Sequence, residues 1–218
     1  METEIETKQQ QPVILQGNCI EVMKNMPEES VDFILTDPPY LCRYKDRTGR
    51  QVINDDRAEW ILPAYRQMHR VLKPNSLCLT FFGWTRLDLF AEAWREAGFQ
   101  IVEHFVFAKS YASSTRFAGR HHEQAYLLAK GFPELPLTPP PSVLEWRYTK
   151  NILHPTQKPL CVLQPLIKAY TQPGELVLDP FCGSGSTLLA ATRLARRGLG
   201  IELDSQYAEV ARERLAAA

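Results

Sequence analysis

Apolar residues along the chain alternate between short continuous runs and stretches of helical period, as a parallel sheet covered by helices requires. Val13-Ile14-Leu15 reads as a short buried strand stopped by Gly17-Asn18. Cys19 to Met26 carries Ile20, Val22, Met23 and Met26 at near-helical spacing and ends at Pro27, which cannot continue a helix. Val31 to Leu35 is a second strand, running directly into Thr36-Asp37-Pro38-Pro39-Tyr40, where the prolines end it. Residues 41 to 57 show no period. Ala58 to Leu72 predicts a helix with Trp60, Ile61, Ala64, Met68 and Val71 inward, and Leu77 to Phe82 a buried strand. Arg86 to Ala97 is the clearest amphipathic helix, with Leu87, Phe90, Ala91 and Trp94 on one face and Gly98 as its stop.

Phe99 to Lys109 and Glu123 to Lys130 are strand-like, and no crossover helix separates them, so they are expected to lie antiparallel. Five prolines between Gly131 and Ser142 predict an extended loop or linker. Beyond it come a helix over Leu160 to Tyr170, a strand at Leu176 to Leu178, a helix over Ser186 to Arg197, a strand at Leu199 to Glu202 and a helix over Ser205 to Leu215. The pattern predicts an α/β fold with a mainly parallel sheet, one antiparallel strand, and ligands bound beyond the carboxyl ends of the strands. Residues 1–12 are expected to be a flexible tail and residues 13–218 a single domain, which suits a chain of 218 residues.

Charge sharpens this only locally. Lys plus Arg and Asp plus Glu number 25 each, so the whole molecule lacks the basic footprint common among nucleic-acid binders. Arg43, Lys45, Arg47 and Arg50 nevertheless cluster against Asp46, and Lys109, Arg116, Arg120 and Lys130 against Glu123. Such short runs more often mark solvated surface than a ligand site. The five cysteines form no C-x-x-C pair, which suggests neither zinc nor a disulfide framework, and no metal is expected. No apolar run reaches the roughly 20 residues of a membrane span, and METEIETKQQQ is unlike a targeting peptide, so a cytoplasmic location without membrane contact is expected.

Three segments at the predicted strand ends carry chemistry. Asp179-Pro180-Phe181-Cys182-Gly183-Ser184-Gly185-Ser186-Thr187 joins a strand to a helix through a glycine turn that lets backbone N–H groups approach a ligand. The spacing is not G-x-G-x-x-G and no phosphate-loop lysine follows, which disfavours pyrophosphate and favours a smaller nucleoside. Glu202, ending the next strand, is placed to bind both ribose hydroxyls, while Asp204 suits the cap of the last helix. Asp37-Pro38-Pro39-Tyr40 is a rigid acceptor site in which Asp37 and the Pro38 carbonyl could hold a planar group's amino hydrogens while its face stacks on Tyr40. The competing reading, a surface turn, is outweighed once the glycine turn falls at the same sheet edge.

T-D-P-P-Y, then H-P-T-Q-K-P from His154 to Pro159, then D-P-F-C-G-S-G-S-T and G-I-E-L-D resemble, in that order, the S-adenosylmethionine-dependent DNA amino-methyltransferases of the permuted β group. The resemblance covers nearly the whole chain from Val13. It implies a Rossmann-like three-layer fold and S-adenosylmethionine as cofactor. It also implies that Asp37, Pro38, Pro39 and Tyr40 are catalytic. The cofactor would be surrounded by Asp179, Phe181, Gly183, Ser184, Gly185, Ser186, Thr187 and Leu203, with Glu202 at the ribose and Asn18 and Cys19 near the adenine. Asp37, His154, Thr156 and Gln157 would complete the site, with Lys158 facing the methionine carboxylate. Asn18 departs from the Asp expected in the family's G-D-C segment.

The implied reaction is an in-line methyl transfer to the exocyclic amine of a flipped-out base, and Asp at the head of D-P-P-Y resembles the adenine-N6 subset, with cytosine-N4 as the alternative. Phe81-Phe82-Gly83-Trp84 is either a pocket wall or plain core. The family's target-recognition region would here be only about residues 112–151, which points to short or relaxed specificity. Its Arg116, Arg120, His121, His122, Arg147 and Lys150, together with Arg43, Lys45 and Arg47, are candidates for DNA contact. DNA is the expected partner, dimerisation would widen the footprint, and a cognate restriction nuclease is left open. Rival readings are an RNA or protein-glutamine methyltransferase, an NAD dehydrogenase, and a non-catalytic DNA-binding protein that keeps the fold.

Overall fold

The computed structural model describes residues 11–45, 49–115, 117–149 and 152–217; Arg47, Arg116 and Lys150, and residues 1–10 of the expected tail, lie outside them. Eight strands form one sheet: β1 (Val13–Gln16), β2 (Val31–Thr36), β3 (Leu72–Phe81), β4 (Gln100–Lys109), β5 (His122–Lys130), β6 (Val143–Trp146), β7 (Leu176–Asp179) and β8 (Arg197–Glu202). Their spatial order is β1-β8-β7-β2-β3-β5-β4-β6. All neighbours are parallel except β5, which runs antiparallel to both β3 and β4, as the missing crossover helix predicts.

Helices cover both faces. α1 (Cys19–Lys24), α2 (Ile61–Val71) and α3 (Leu87–Glu96) pack on one face, where Met23, Tyr65, Met68, Phe90 and Trp94 bury their side chains. On the other, α4 (Leu160–Tyr170) and α5 (Ser186–Arg193) bury Leu163, Leu166, Ile167 and Ala190 against Phe33, Leu35 and Phe107. α6 (Ser205–Ala216) seals the β1 end with Ala208 and Ala211 against Ile14 and Leu188. This is the Rossmann-like three-layer arrangement. The strand order reverses between β2 and β7, whose pairing is only Phe33 with Val177 and Ile34 with Leu178. Ligands of such sheets bind outside the carboxyl ends at this switch point.

Several expectations need correction. β1 is an edge strand in which only Ile14 is buried, because its outer side meets solvent rather than another strand. The Ser186 helix stops at Arg193, where Ala195 turns to φ +60 and releases the chain into β8. Val143–Trp146, after the proline-rich stretch, adds a strand beside β4 that the sequence reading did not contain. Its alternation, with Leu144 and Trp146 buried, fits a half-covered edge. Phe81 and Phe82 are core, whereas Trp84 is exposed. Lys109, grouped by sequence with surface cations, is buried in an ion pair with Glu123.

Candidate active site

β2 delivers Asp37 to the sheet edge, and the two prolines that follow hold the Asp37–Tyr40 turn out of the ladder. Tyr40 donates its hydroxyl hydrogen to Asp37 Oδ1 at 2.8 Å. The other carboxylate oxygen pairs with Lys158 Nζ. Lys158 is only 7% exposed, and its ammonium lies 4.8 Å from the Phe81 ring centroid, 5.4 Å from Tyr40 and 5.9 Å from Trp146. Three aromatic rings therefore surround the cation and leave Asp37 as its charged partner. The sequence reading turned Lys158 toward a cofactor carboxylate; in the structure its ammonium meets Asp37. Burial raises the Asp37 carboxyl above its ordinary range, against the opposing pull of Lys158 and the Tyr40 hydrogen bond.

The second and third strand ends meet in the glycine turn. Asp179 closes β7, is buried, and accepts the Phe181 N–H at 3.1 Å; burial pushes its carboxyl up to about 7. Glu202 closes β8 and accepts from Gly183 N–H on one oxygen and from Asp204 N–H on the other, each at 2.8 Å. Its carboxyl is also raised by burial. Asp204 caps α6 by accepting from the N–H groups of Gln206 and Tyr207. Gly183 has φ +49, and a Cβ there would stand 3.2 Å from the His154 ring, so the turn requires a residue without a side chain. Gly185 does not line the cleft; its φ of +75 starts α5, and its open side packs on Ala211.

His154 sits across the turn with its ring centroid 4.4 Å from that of Tyr207. Its Nδ1 accepts from the Thr156 N–H at 3.3 Å, and burial, helped by Lys158 and Arg50, holds its pKa down at about 4. Thr156, Gln157, Ser184, Ser186, Thr187 and Leu203 also line the cleft. Asn18 caps α1 by accepting from Ile20 N–H at 2.9 Å and faces the same space with Cys19.

Described residues of the 41 to 57 segment, which by sequence could close over the base, and Trp60, which reads as core, complete the walls. The segment after Tyr40 returns through Gln51–Asp55, pinned by the buried Asp55, which accepts from the Tyr44 N–H at 2.6 Å and the Cys42 N–H at 3.3 Å. Tyr44 donates to the Pro155 carbonyl at 3.3 Å, joining this segment to the His154 loop. Trp60 donates to the Asn54 carbonyl and meets Phe181 edge to face at 5.2 Å. A Trp ahead of an amphipathic helix reads as core, and nothing in the local pattern reports that it faces Phe181.

The donor set fits S-adenosylmethionine. Asp37, Asp55, Asp179, Glu202 and Asp204 line the cleft, and Lys158 is the sole lysine or arginine among the described lining residues. A cavity so rich in carboxylates suits a ligand bearing a sulfonium and an ammonium, and repels a polyphosphate. The Trp60–Phe181 pair offers aromatic wall for a nucleobase, and Glu202 faces the glycine turn where ribose hydroxyls would sit.

The described cations and histidines proposed for DNA contact lie beside this cleft rather than in it. Arg43 and Lys45 are exposed on the segment after Tyr40. Arg120, His121 and His122 are exposed where the β4–β5 connection enters β5, and the Arg120 guanidinium lies 4.7 Å from the Trp84 ring centroid. Arg147 is exposed and paired with Glu145. Among the described residues no helix is long and apolar enough to cross a membrane, and no His/Cys/Asp/Glu group could hold a metal ion.

Comparison with known proteins agrees with this architecture. The family described as DNA methylase matches residues 31–139 and 139–213. A putative methylase, YubD of Escherichia coli K12, is 52% identical over 203 residues, covering 93% of this chain and 89% of that protein. The Type II methyltransferase M2.DpnII of Streptococcus pneumoniae is 28% identical, covering 94% and 90%. In structure, the M1.HpyAVI–SAM complex superposes with a TM-score of 0.74 at 25% identity over 93% of this chain and 98% of the other. PvuII DNA methyltransferase, titled cytosine-N4-specific, shares the fold with a TM-score of 0.76 at 18% identity, over 95% and 91% of the chains. With four motifs converging on one carboxylate-lined cleft, the chain belongs to the S-adenosylmethionine-dependent DNA methylase family that comprises N6-adenine and N4-cytosine enzymes.

Proposed function

We infer that this DNA methyltransferase acts on the N6 amine of adenine, presented as a base extruded from the duplex. The observation that carries the reading is the Asp37 carboxylate at the cleft floor, fixed by Tyr40 on one oxygen and Lys158 on the other. A carboxylate offers about four lone-pair sites, so two such partners leave capacity to accept from a substrate amine. Asp, rather than Ser, at the head of the tetrapeptide supports adenine over cytosine. Pro38 and Pro39 add no N–H groups, so the turn presents acceptors.

An exocyclic amine is a poor nucleophile because its lone pair is delocalised into the ring. Acceptors at Asp37 and the Pro38 carbonyl favour a tetrahedral nitrogen and stabilise the positive charge that develops there, a preorganised electrostatic effect. Asp37 is positioned to receive the proton that the methylated nitrogen then loses. S-adenosylmethionine, when bound, supplies the electrophilic methyl group. Glu202, the Gly183 turn and Asn18 line the same cleft as Asp37–Tyr40, which supports an in-line approach of donor and amine. The acceptors line a cleft at the carboxyl ends of the strands, among partly buried side chains, so a paired base must leave the helix to reach them.

The β4–β5 connection and residues 131–142 offer little surface for reading sequence, which supports a short or relaxed recognition site. The decisive test is mass analysis of nucleosides from DNA incubated with S-adenosylmethionine and either wild type or Asp37→Ala. N6-methyladenine that disappears in the variant is the expected result, and N4-methylcytosine would overturn the choice of base. A genome-wide methylation map that showed one long strict motif would overturn the relaxed specificity.

A further inference from the structure

The last helix backs the glycine turn with one stripe of side chains. Tyr207, Ala211 and Arg214 recur at the i, i+4, i+7 spacing that puts them on one face of α6. Tyr207 meets the His154 ring, Ala211 lies against Gly185, and Arg214 reaches Ser184 and Ser186. Its Nη1 donates to the Ser184 carbonyl at 3.0 Å, to the Ser186 hydroxyl oxygen at 2.9 Å and more weakly to the Ser184 hydroxyl oxygen at 3.4 Å. Ser184 is 3% exposed and Ser186 7%, and both line the cleft. Among the described residues no group accepts either hydroxyl hydrogen. A guanidinium only donates, so a hydroxyl that accepts from it must turn its own hydrogen elsewhere. Arg214 itself does not line the cleft, and among the described residues it has no carboxylate partner, although α6 also carries Glu209 and Glu213. An unneutralised cation thus stands behind two buried hydroxyls at one corner of a cleft rich in carboxylates.

We propose that Arg214 is the positioning residue for the carboxylate of S-adenosylmethionine: it turns the Ser184 and Ser186 hydroxyls into the cleft as donors and adds its charge behind them. That carboxylate is the one anionic group of a ligand that otherwise carries a sulfonium and an ammonium. The lining carboxylates repel it, and Lys158, the lining cation, is engaged with Asp37. At the Ser184–Ser186 corner it meets donors instead. An oxygen that accepts from a cation polarises its own O–H bond, which strengthens that donor. The Ser184 carbonyl, which would repel an anion, is taken up by the same guanidinium. Burial, with Arg193 nearby, lowers the Arg214 pKa, yet a guanidinium starts so high that it keeps its proton near neutrality.

The test uses two ligands that differ only in that carboxylate. S-adenosylmethionine and its decarboxylated form are titrated calorimetrically into wild type, Arg214→Met and Ser186→Ala. Arg214→Met should weaken S-adenosylmethionine about ten-fold, the loss expected for hydrogen bonding to a charged group, and leave the decarboxylated ligand within about two-fold. Equal weakening of both ligands would mean that Arg214 only supports the turn, and overturns the proposal; so does an unchanged affinity for S-adenosylmethionine. Ser186→Ala should show the same selective loss, and it decides the matter if Arg214→Met fails to fold: equal loss on both ligands, or none, overturns the proposal there too. Where both variants fold, adding Arg214→Met to Ser186→Ala should cost less than about three-fold further, because the Ser186 hydroxyl makes the shorter of the two hydroxyl contacts and carries most of the effect. Full additivity overturns the relay. No nucleic acid enters these titrations, so they judge Arg214 whichever base is methylated.

Discussion

Gly83 and Tyr40 meet so closely that a Cβ built on Gly83 would stand 2.2 Å from the Tyr40 carbonyl oxygen. Gly83 has φ −77, which any residue adopts, so space rather than backbone conformation demands glycine here. The end of β3 is in this way the floor under the catalytic turn.

Gly83→Ala should displace the Asp37–Tyr40 turn by roughly an ångström while leaving the glycine turn at β7 untouched. Misplacement on that scale costs on the order of 100-fold in rate. The expected outcome is a drop of that size in kcat with cofactor affinity held within about two-fold, measured by single-turnover methylation and by calorimetric titration with S-adenosylmethionine.

Lys158→Met should act through Asp37 more than through the cofactor. Lys158 opposes the upward push of burial on the Asp37 carboxyl, so its removal raises that pKa further. The acid limb of the kcat/KM profile should move to higher pH, and the rate near neutrality should fall by about 100-fold or more. If cofactor affinity collapses while the pH limb stays in place, Lys158 serves the methionine carboxylate instead.

Asn18→Asp keeps the acceptor that caps α1 and adds a negative charge at a helix N-terminus. Such a charge contributes about 0.3–1 kcal/mol, and the thermal midpoint of the cofactor-free protein should rise by roughly 1–3 °C. The variant also adds a carboxylate to an acidic cleft, so affinity for a cationic cofactor should strengthen. Unchanged midpoint and unchanged affinity would make the departure from G-D-C inconsequential.

His154 is held neutral, with its pKa lowered to about 4 from an ordinary 6.5. Between those values the unfolded chain binds a proton that the folded one refuses, so stability rises with pH across that window. The contribution is complete above about pH 6.5 and lost by about pH 4, roughly 3 kcal/mol at most. His154→Gln should flatten that part of the denaturation profile, followed by urea unfolding at pH 4, 5, 6 and 7.

The parts of the site that were legible in the sequence are those written in consecutive residues. Asp37 to Tyr40, the glycine turn and Glu202 each join a strand end to a turn, and alternation of strand and helix brings such ends to one edge. The Lys158–Asp37 pair spans 121 positions, and no local period reports such a partnership. Gln51–Asp55 line the cleft through hydrogen bonds from Asp55 to backbone N–H groups rather than through an element, so they left no pattern. β6 was missed for a different reason: its four residues follow five prolines, which outweighed the short alternation of Leu144 and Trp146. β1 read as buried because three apolar residues in a row cannot tell an edge strand from a central one.

The edge pairing of β1 with β8 bears on how the protein comes into being. Gln16 donates to the Leu203 carbonyl across 187 positions, so β1 waits for a partner made far later in synthesis. Pairings this distant in sequence form slowly, because a long loop must close before any contact rewards it. Asp37 and its prolines emerge early, whereas Gly183 and Glu202 arrive with the final strands. A nascent chain therefore carries the catalytic turn for about 140 residues of synthesis without a cofactor cradle, and methyl transfer has to wait until β7 and β8 are made.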